Sequence, residues 1–155
     1  MNTIDKSTIQ DLNLKRYLGK WYEIARFNHR FERNLHAVTA EYTQEKPGKI
    51  RVKNCGHKGS PTGPETCAIG KAHLSKNSAG QLRVSFFLFF YSDYNILELD
   101  TNYEWALIGS STSRFLWILS RTPQLPSETL NDILGKAKKR GYNTDKLIFP
   151  EHYNH

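Results

Sequence analysis

Eight stretches of this chain alternate apolar and polar residues with a period of two: residues 21–27, 36–44, 49–55, 67–74, 81–87, 94–99, 103–110 and 115–121. That pattern is what a strand with one buried face requires, and it restricts the chain to an all-β architecture over most of its length. Turn signals separate the stretches: Pro47-Gly48, a Gly/Pro-rich segment over 56–66, and Asn77-Ser78-Ala79-Gly80. The period then changes once. Leu130, Ile133, Leu134 and Ala137 fall at i, i+3, i+4 and i+7, the stripe of an amphipathic helix over 127–140. Ser127 suits the N-cap, Glu128 the first turn and Gly141 the C′ position. Leu147-Ile148-Phe149 reads as a short final strand over 146–149.

Only 38% of the 155 residues are apolar, too few to fill two packed sheets. An antiparallel up-and-down barrel removes the exposed edges and needs only an apolar lumen. Eight strands enclose room for one small ligand. The expected architecture is therefore a single domain over 1–155: a polar arm over 1–13, an eight-stranded antiparallel β-barrel over 14–123, and a helix packed outside it. The helix must bury its stripe against the barrel wall, so the last strands should be apolar on both faces. They are: Leu116 and Ile118 oppose Phe115, Trp117 and Leu119, while Ala106 and Ile108 oppose Trp105 and Leu107.

Several function classes are disfavoured. The longest apolar run, 86–91, is far too short to span a bilayer as a helix. The N-terminus carries no signal-peptide core, which leaves a cytosolic protein or one whose leader has been removed. Net charge is +7, from 22 Lys and Arg against 15 Asp and Glu, yet the basic residues are scattered. The densest run, Lys136 to Arg140, closes the predicted helix, where it complements the helix dipole. No nucleic-acid partner is expected; contact with an anionic membrane surface is left open. No nucleophile elbow, phosphate loop or metal-ligand cluster is present, so neither catalysis nor a metal or other cofactor is expected.

Cys55 and Cys67 flank the Gly/Pro-rich segment. Two readings stand: a bridge across a hairpin, or two free thiols as a cytosolic home would require. Strand parity points both side chains outward, and opposed non-hydrogen-bonded positions approach closely enough for a bridge. The expectation is a Cys55–Cys67 disulfide and an oxidising compartment.

The segment Leu18-Gly19-Lys20-Trp21-Tyr22-Glu23-Ile24-Ala25-Arg26-Phe27 resembles the Gly-x-Trp opening motif of the lipocalin family. Its continuation, Asn28-His29-Arg30-Phe31-Glu32-Arg33, is similar to bacterial outer-membrane lipocalins of the apolipoprotein D-like branch. Asp100 with Tyr103 resembles the second motif. Leu116-Trp117-Ile118-Leu119-Ser120-Arg121-Thr122-Pro123 resembles the third, so the likeness runs through about 14–149. It implies a small lipophilic ligand, a fatty acid or lysophospholipid, carried in the lumen by a monomer or homodimer. It also implies a role in upkeep of the bacterial outer membrane, with a home in the periplasm or at that membrane. No acylated N-terminal cysteine accompanies it. Some relatives are enzymes that use a barrel thiol; the outward parity of Cys55 disfavours that alternative, and a basic interaction module is the other.

The motif residues have a physical role. First and last strands of a barrel are neighbours, so Trp21 and Arg121 should meet at one end, guanidinium over indole, where Arg121 can also cap backbone carbonyls. Gly19 allows the entering chain to turn closely. If Arg121 faces inward at that base, parity assigns the lumen wall. It consists of Val38, Ala40, Tyr42, Ile50, Val52, Gly70, Ala72, Leu82, Val84, Phe86, Tyr94, Ile96, Trp105, Leu107, Phe115, Trp117 and Leu119. Gly70 and Ala72 are expected to leave space beside the aromatic wall. Glu98 is either a pocket acid or, if a bulge shifts the register, a surface residue.

Overall fold

A computed structural model describes residues 3–29, 32–87 and 90–152. Arg30 and Phe31 of the opening motif's continuation, and Leu88 and Phe89 of the apolar run, lie outside the described residues. The elements in chain order are α1 (Leu14–Tyr17), β1 (Gly19–Phe27), β2 (Leu35–Lys46), β3 (Lys49–Lys58), β4 (Glu65–Leu74) and β5 (Gln81–Phe87). β6 (Phe90–Leu99), β7 (Trp105–Gly109), β8 (Leu116–Ser120), α2 (Ser127–Lys139) and β9 (Leu147–Ile148) follow.

The strands meander in sequence order, each antiparallel to the next, and β1 pairs with both β2 and β8. That double pairing closes an eight-stranded barrel. β9 adds outside, on Arg26 and Phe27 at the far end of β1.

Two apolar clusters lie on opposite faces of the wall. Inside, Tyr42, Ile50, Val52, Ala72, Leu82, Ile96, Ala106, Ile108 and Leu119 pack above Tyr17 and Trp21. Outside, Ile24, Phe27, Leu97, Trp105, Leu107, Leu116 and Ile118 receive Ile133 and Ala137 of α2 together with Tyr142 and Leu147.

Trp105 and Leu107 therefore do not face the lumen. β7 reads Trp-Ala-Leu-Ile-Gly and is buried on both faces, so alternation could not choose between them. The register decides: Ala106 opposes Leu119 and Ile108 opposes Trp117, which puts the even positions inside and gives Trp105 and Leu107 to the helix. Glu98 resolves the same way. A register shift between Ile96 and Glu98 keeps Ile96 inside but turns Glu98 outward, opposite Leu107. Its carboxylate accepts from Arg140 Nε at 2.7 Å.

Arg140 therefore does more than complement the helix dipole. Its guanidinium also donates to Leu97 O at 2.7 Å, Ser7 O at 2.8 Å and Asp5 O at 3.0 Å. The polar N-terminal arm is docked through these bonds and through Ile9 N to Ile96 O at 3.0 Å. At the helix start Ser127 is the first helical residue; Pro126 holds the cap position with no side-chain bond. Gly141 takes φ +103°, as a C′ glycine should.

Candidate functional site

One end of the barrel is sealed. Asn13 caps α1 by accepting from Arg16 N at 3.3 Å, and α1 carries Tyr17 across the base. Trp21 is fully buried and donates from Nε1 to Tyr17 O at 2.8 Å. The Arg121 guanidinium carbon stands 3.7 Å from a Trp21 ring centroid. The same guanidinium donates to Arg16 O at 2.7 Å, Lys20 O at 3.0 Å, and Tyr17 O and Tyr103 O at 3.1 Å. Gly19 takes φ +102°, and a Cβ there would meet Arg121 Nη1 at 3.4 Å. Asp100 holds the adjacent turn by accepting from Asn102 N and Glu104 N, and Tyr103 takes φ 59° within it. The Tyr103 hydroxyl accepts from Asn13 N at 2.9 Å.

Above this plug lies a cavity of about 580 Å³, inside the roughly 300–1,000 Å³ range of small-molecule sites. Val38, Ala40, Tyr42, Val52, Val84, Phe86, Tyr94, Phe115, Trp117 and Leu119 line it. Ala72 and Ile96 sit deeper in the inner cluster. Gly70 leaves no ligand space: a Cβ there would meet Ser85 O at 2.5 Å and Phe86 Cδ1 at 2.7 Å, so the Phe86 ring already occupies the gap. The inner hydroxyls of Tyr17, Tyr94 and Tyr42 form a chain, with Tyr42 donating to Tyr94 at 3.0 Å. Burial pushes all three phenols up, Tyr42 to about 12, so they are neutral donors and acceptors at any ordinary pH.

Sequence reasoning missed the polar upper wall. Glu23, His29, Glu32, Asn54, Arg83, Ser110 and Thr112 also line the cavity. Glu23 and Arg26 are buried in β1 and joined at 2.8 Å. Arg26 Nη2 further donates to Glu32 O at 2.6 Å and Leu35 O at 3.3 Å, fixing the loop between β1 and β2. Glu32 Oε1 receives His29 Nε2 at 2.8 Å and Trp117 Nε1 at 2.9 Å. Trp117 stacks on Phe115 with centroids 5.7 Å apart. Burial, then the neighbouring Glu32 charge, raises the Glu23 carboxyl well above its usual range. Burial would raise Glu32 too, but the hydrogen bonds from His29, from the neighbouring Glu23 carboxyl and from Trp117 outweigh it and bring Glu32 down to about 2. The signal for this cluster was present: Glu23 and Arg26 are charged residues inside an otherwise buried strand.

Cys55 and Cys67 oppose each other across β3 and β4 and are bridged, with Cα atoms 4.1 Å apart. The bridge lies on the outer wall, where Cys55 borders a separate groove with His57 and His152.

One family model, the lipocalin-like domain, matches residues 12–152 of this chain. The chain is a lipocalin. The outer membrane lipoprotein Blc of Vibrio cholerae is 43% identical over 143 residues, covering 91% of this lipocalin and 83% of that protein. Mouse apolipoprotein D is 33% identical over 155 residues, covering 94% and 79%. The barrel of lobster apocrustacyanin A1 superposes with a TM-score of 0.74 at 20% identity, covering 92% of this lipocalin and 81% of that chain. The lipocalin family supports binding of small hydrophobic molecules, and its members are generally binding proteins rather than enzymes.

Proposed function

We propose that this lipocalin binds a single-chain lipid, a fatty acid or lysophospholipid, in its lumen and carries or stores it without chemical change. The observation that supports this most is the cavity of about 580 Å³, walled by aliphatic and aromatic side chains and closed below by the Trp21–Arg121 plug. Each methylene moved from water into such a wall stabilises the complex by about 0.8 kcal/mol. A dodecyl chain needs few polar contacts to be held at micromolar concentration.

The cysteines are tied in a bridge on the outer face, which argues against a thiol-dependent reaction in the lumen. A disulfide also fits an oxidising compartment. With relatives named as outer membrane lipoproteins, the periplasm or the outer membrane is the home we favour, and lipid handling in maintenance of that membrane the role. The test is displacement: an environment-sensitive fatty-acid probe should bind one-to-one at micromolar level and be displaced by lysophospholipid. No displaceable binding by any acyl chain would refute the carrier reading.

A further inference from the structure

Outside the lumen, the hairpin of β3 and β4 gathers four side chains with metal-ligating atoms on one face. Cys55 opposes Cys67 and His57 opposes Glu65 across the two strands, and residues two apart on a strand point the same way. The four therefore stand at the corners of a rectangle on the outer wall, where Cys55, His57 and Glu65 border the groove. The sulfurs of Cys55 and Cys67 and a carboxylate oxygen of Glu65 all lie within 4.8 Å of one another. His57 Nε2 stands 3.5 Å from Glu65 Oε2, and its Nδ1 is bonded to Gly63 O at 2.9 Å. A carbonyl only accepts, so Nδ1 carries a proton, and in the neutral ring Nε2 presents its lone pair toward Glu65. Metal-bound histidines are oriented by such a bond on the far nitrogen. The loop that supplies it is itself held, by Gly63 N to Ser60 O and Lys58 N to Pro64 O, both at 3.0 Å. The four residues come from two strands, so no short motif announces them.

We propose that reduction of the Cys55–Cys67 bridge by a dithiol turns this patch into a binding site for a thiophilic divalent cation of the zinc class, held by Cys55, Cys67, Glu65 and His57. Tied to each other the two sulfurs are poor ligands; as thiolates they are strong ones. In the exchange, a thiolate of the reductant attacks one bridge sulfur and its second thiol resolves the mixed disulfide. Two electrons and two protons pass to the bridge, the reductant leaves as a disulfide, and the chain holds two thiols. Metal binding then releases the two thiol protons. Zinc takes sulfur at about 2.3 Å and nitrogen or oxygen at about 2.0–2.2 Å in a tetrahedron, which sets two ligating sulfurs about 3.8 Å apart. The Cα atoms of Cys55 and Cys67 are 4.1 Å apart, so side chains standing side by side reach that spacing with the strands left in place. Two sulfurs, a nitrogen and an oxygen select zinc over magnesium and calcium, which take oxygen. The hairpin is then cross-linked in either redox state, by the bridge or by the metal. The site stands apart from the lumen and does not depend on the carrier reading.

The experiment titrates cobalt(II), then zinc, into the tag-free full chain without oxygen, before and after reduction by a phosphine that is removed before the titration. The reduced chain should take one cobalt ion, with the visible bands of tetrahedral cobalt and the near-ultraviolet charge transfer of cobalt–thiolate bonds, and zinc should bleach both. The bridged chain keeps all six histidines and should bind at least about a hundredfold more weakly. Glu65→Gln and His57→Phe should each weaken zinc binding to the reduced chain by about tenfold or more. Cys55→His combined with Cys67→His forms no bridge and needs no reductant. It should bind zinc through the same four positions, and it decides the matter if the reduced chain does not fold. Equal binding in the two redox states would place the metal on surface histidines and overturn the proposal. Reduced-chain binding that Glu65→Gln and His57→Phe leave unchanged would also overturn it, because two thiols alone would then hold the ion. So would failure of both the reduced chain and the double variant to bind.

Discussion

Arg121 concentrates four backbone carbonyls and an indole on one guanidinium, so its removal should be felt by stability and hardly by the lumen above it. Arg121→Met, which keeps the bulk, is expected to lower unfolding free energy by about 1–3 kcal/mol in urea titrations. Probe affinity should stay within a few fold. A second pair of residues separates by sign. Glu32 has a folded pKa of about 2, below its unfolded value, so it adds stability that is present above about pH 4.5 and lost as pH falls toward 2. Glu23 is raised, so it adds stability only at low pH and loses it as pH rises above its unfolded value. At neutral pH Glu32→Gln should therefore destabilise by about 2–3 kcal/mol, and Glu23→Gln should cost little or stabilise. Unfolding titrations at pH 7 and pH 3 check both: the Glu32→Gln deficit should shrink at pH 3. Equal deficits at the two pH values would contradict the assignment.

At the scale of elements, the alternation located all eight barrel strands, and the switch to a 3.6 period located α2. The four-residue α1 escaped notice because one helical turn has no periodicity to read. Facing was legible wherever one side of a strand is polar, as in β3, where Ile50 and Val52 are buried between exposed Lys49, Arg51 and Lys53. It was not legible in β7, which is apolar on both sides because one face meets the lumen and the other meets α2. Nor could parity survive the register shift in β6. The helix interface offers a check of this division. Ile133 is fully buried against the outer wall, so Ile133→Ala should cost about 2–4 kcal/mol through the cavity it leaves, with ligand affinity nearly unchanged. A large loss of affinity at preserved fold would mean that the two apolar clusters are not independent. The β3–β4 pair carries the bridge. Intact protein denatured without reductant should take up no alkylating agent, and two equivalents after reduction.

As a whole molecule, the protein is a cup with one apolar cluster inside its wall and one outside, and the central claim is that the inner one holds an acyl or alkyl chain. Two of the three tryptophans report on that directly because the wall separates them. Trp117 lines the cavity, while Trp105 faces α2. Titration with a fatty acid brominated on its chain, a probe that quenches tryptophan only near contact, in wild type, Trp117→Phe and Trp105→Phe, measures which side the ligand occupies. The expected result is saturable one-to-one quenching at micromolar probe, largely lost in Trp117→Phe and kept in Trp105→Phe. Quenching that does not saturate, or that disappears with Trp105 rather than Trp117, would contradict a ligand in the lumen.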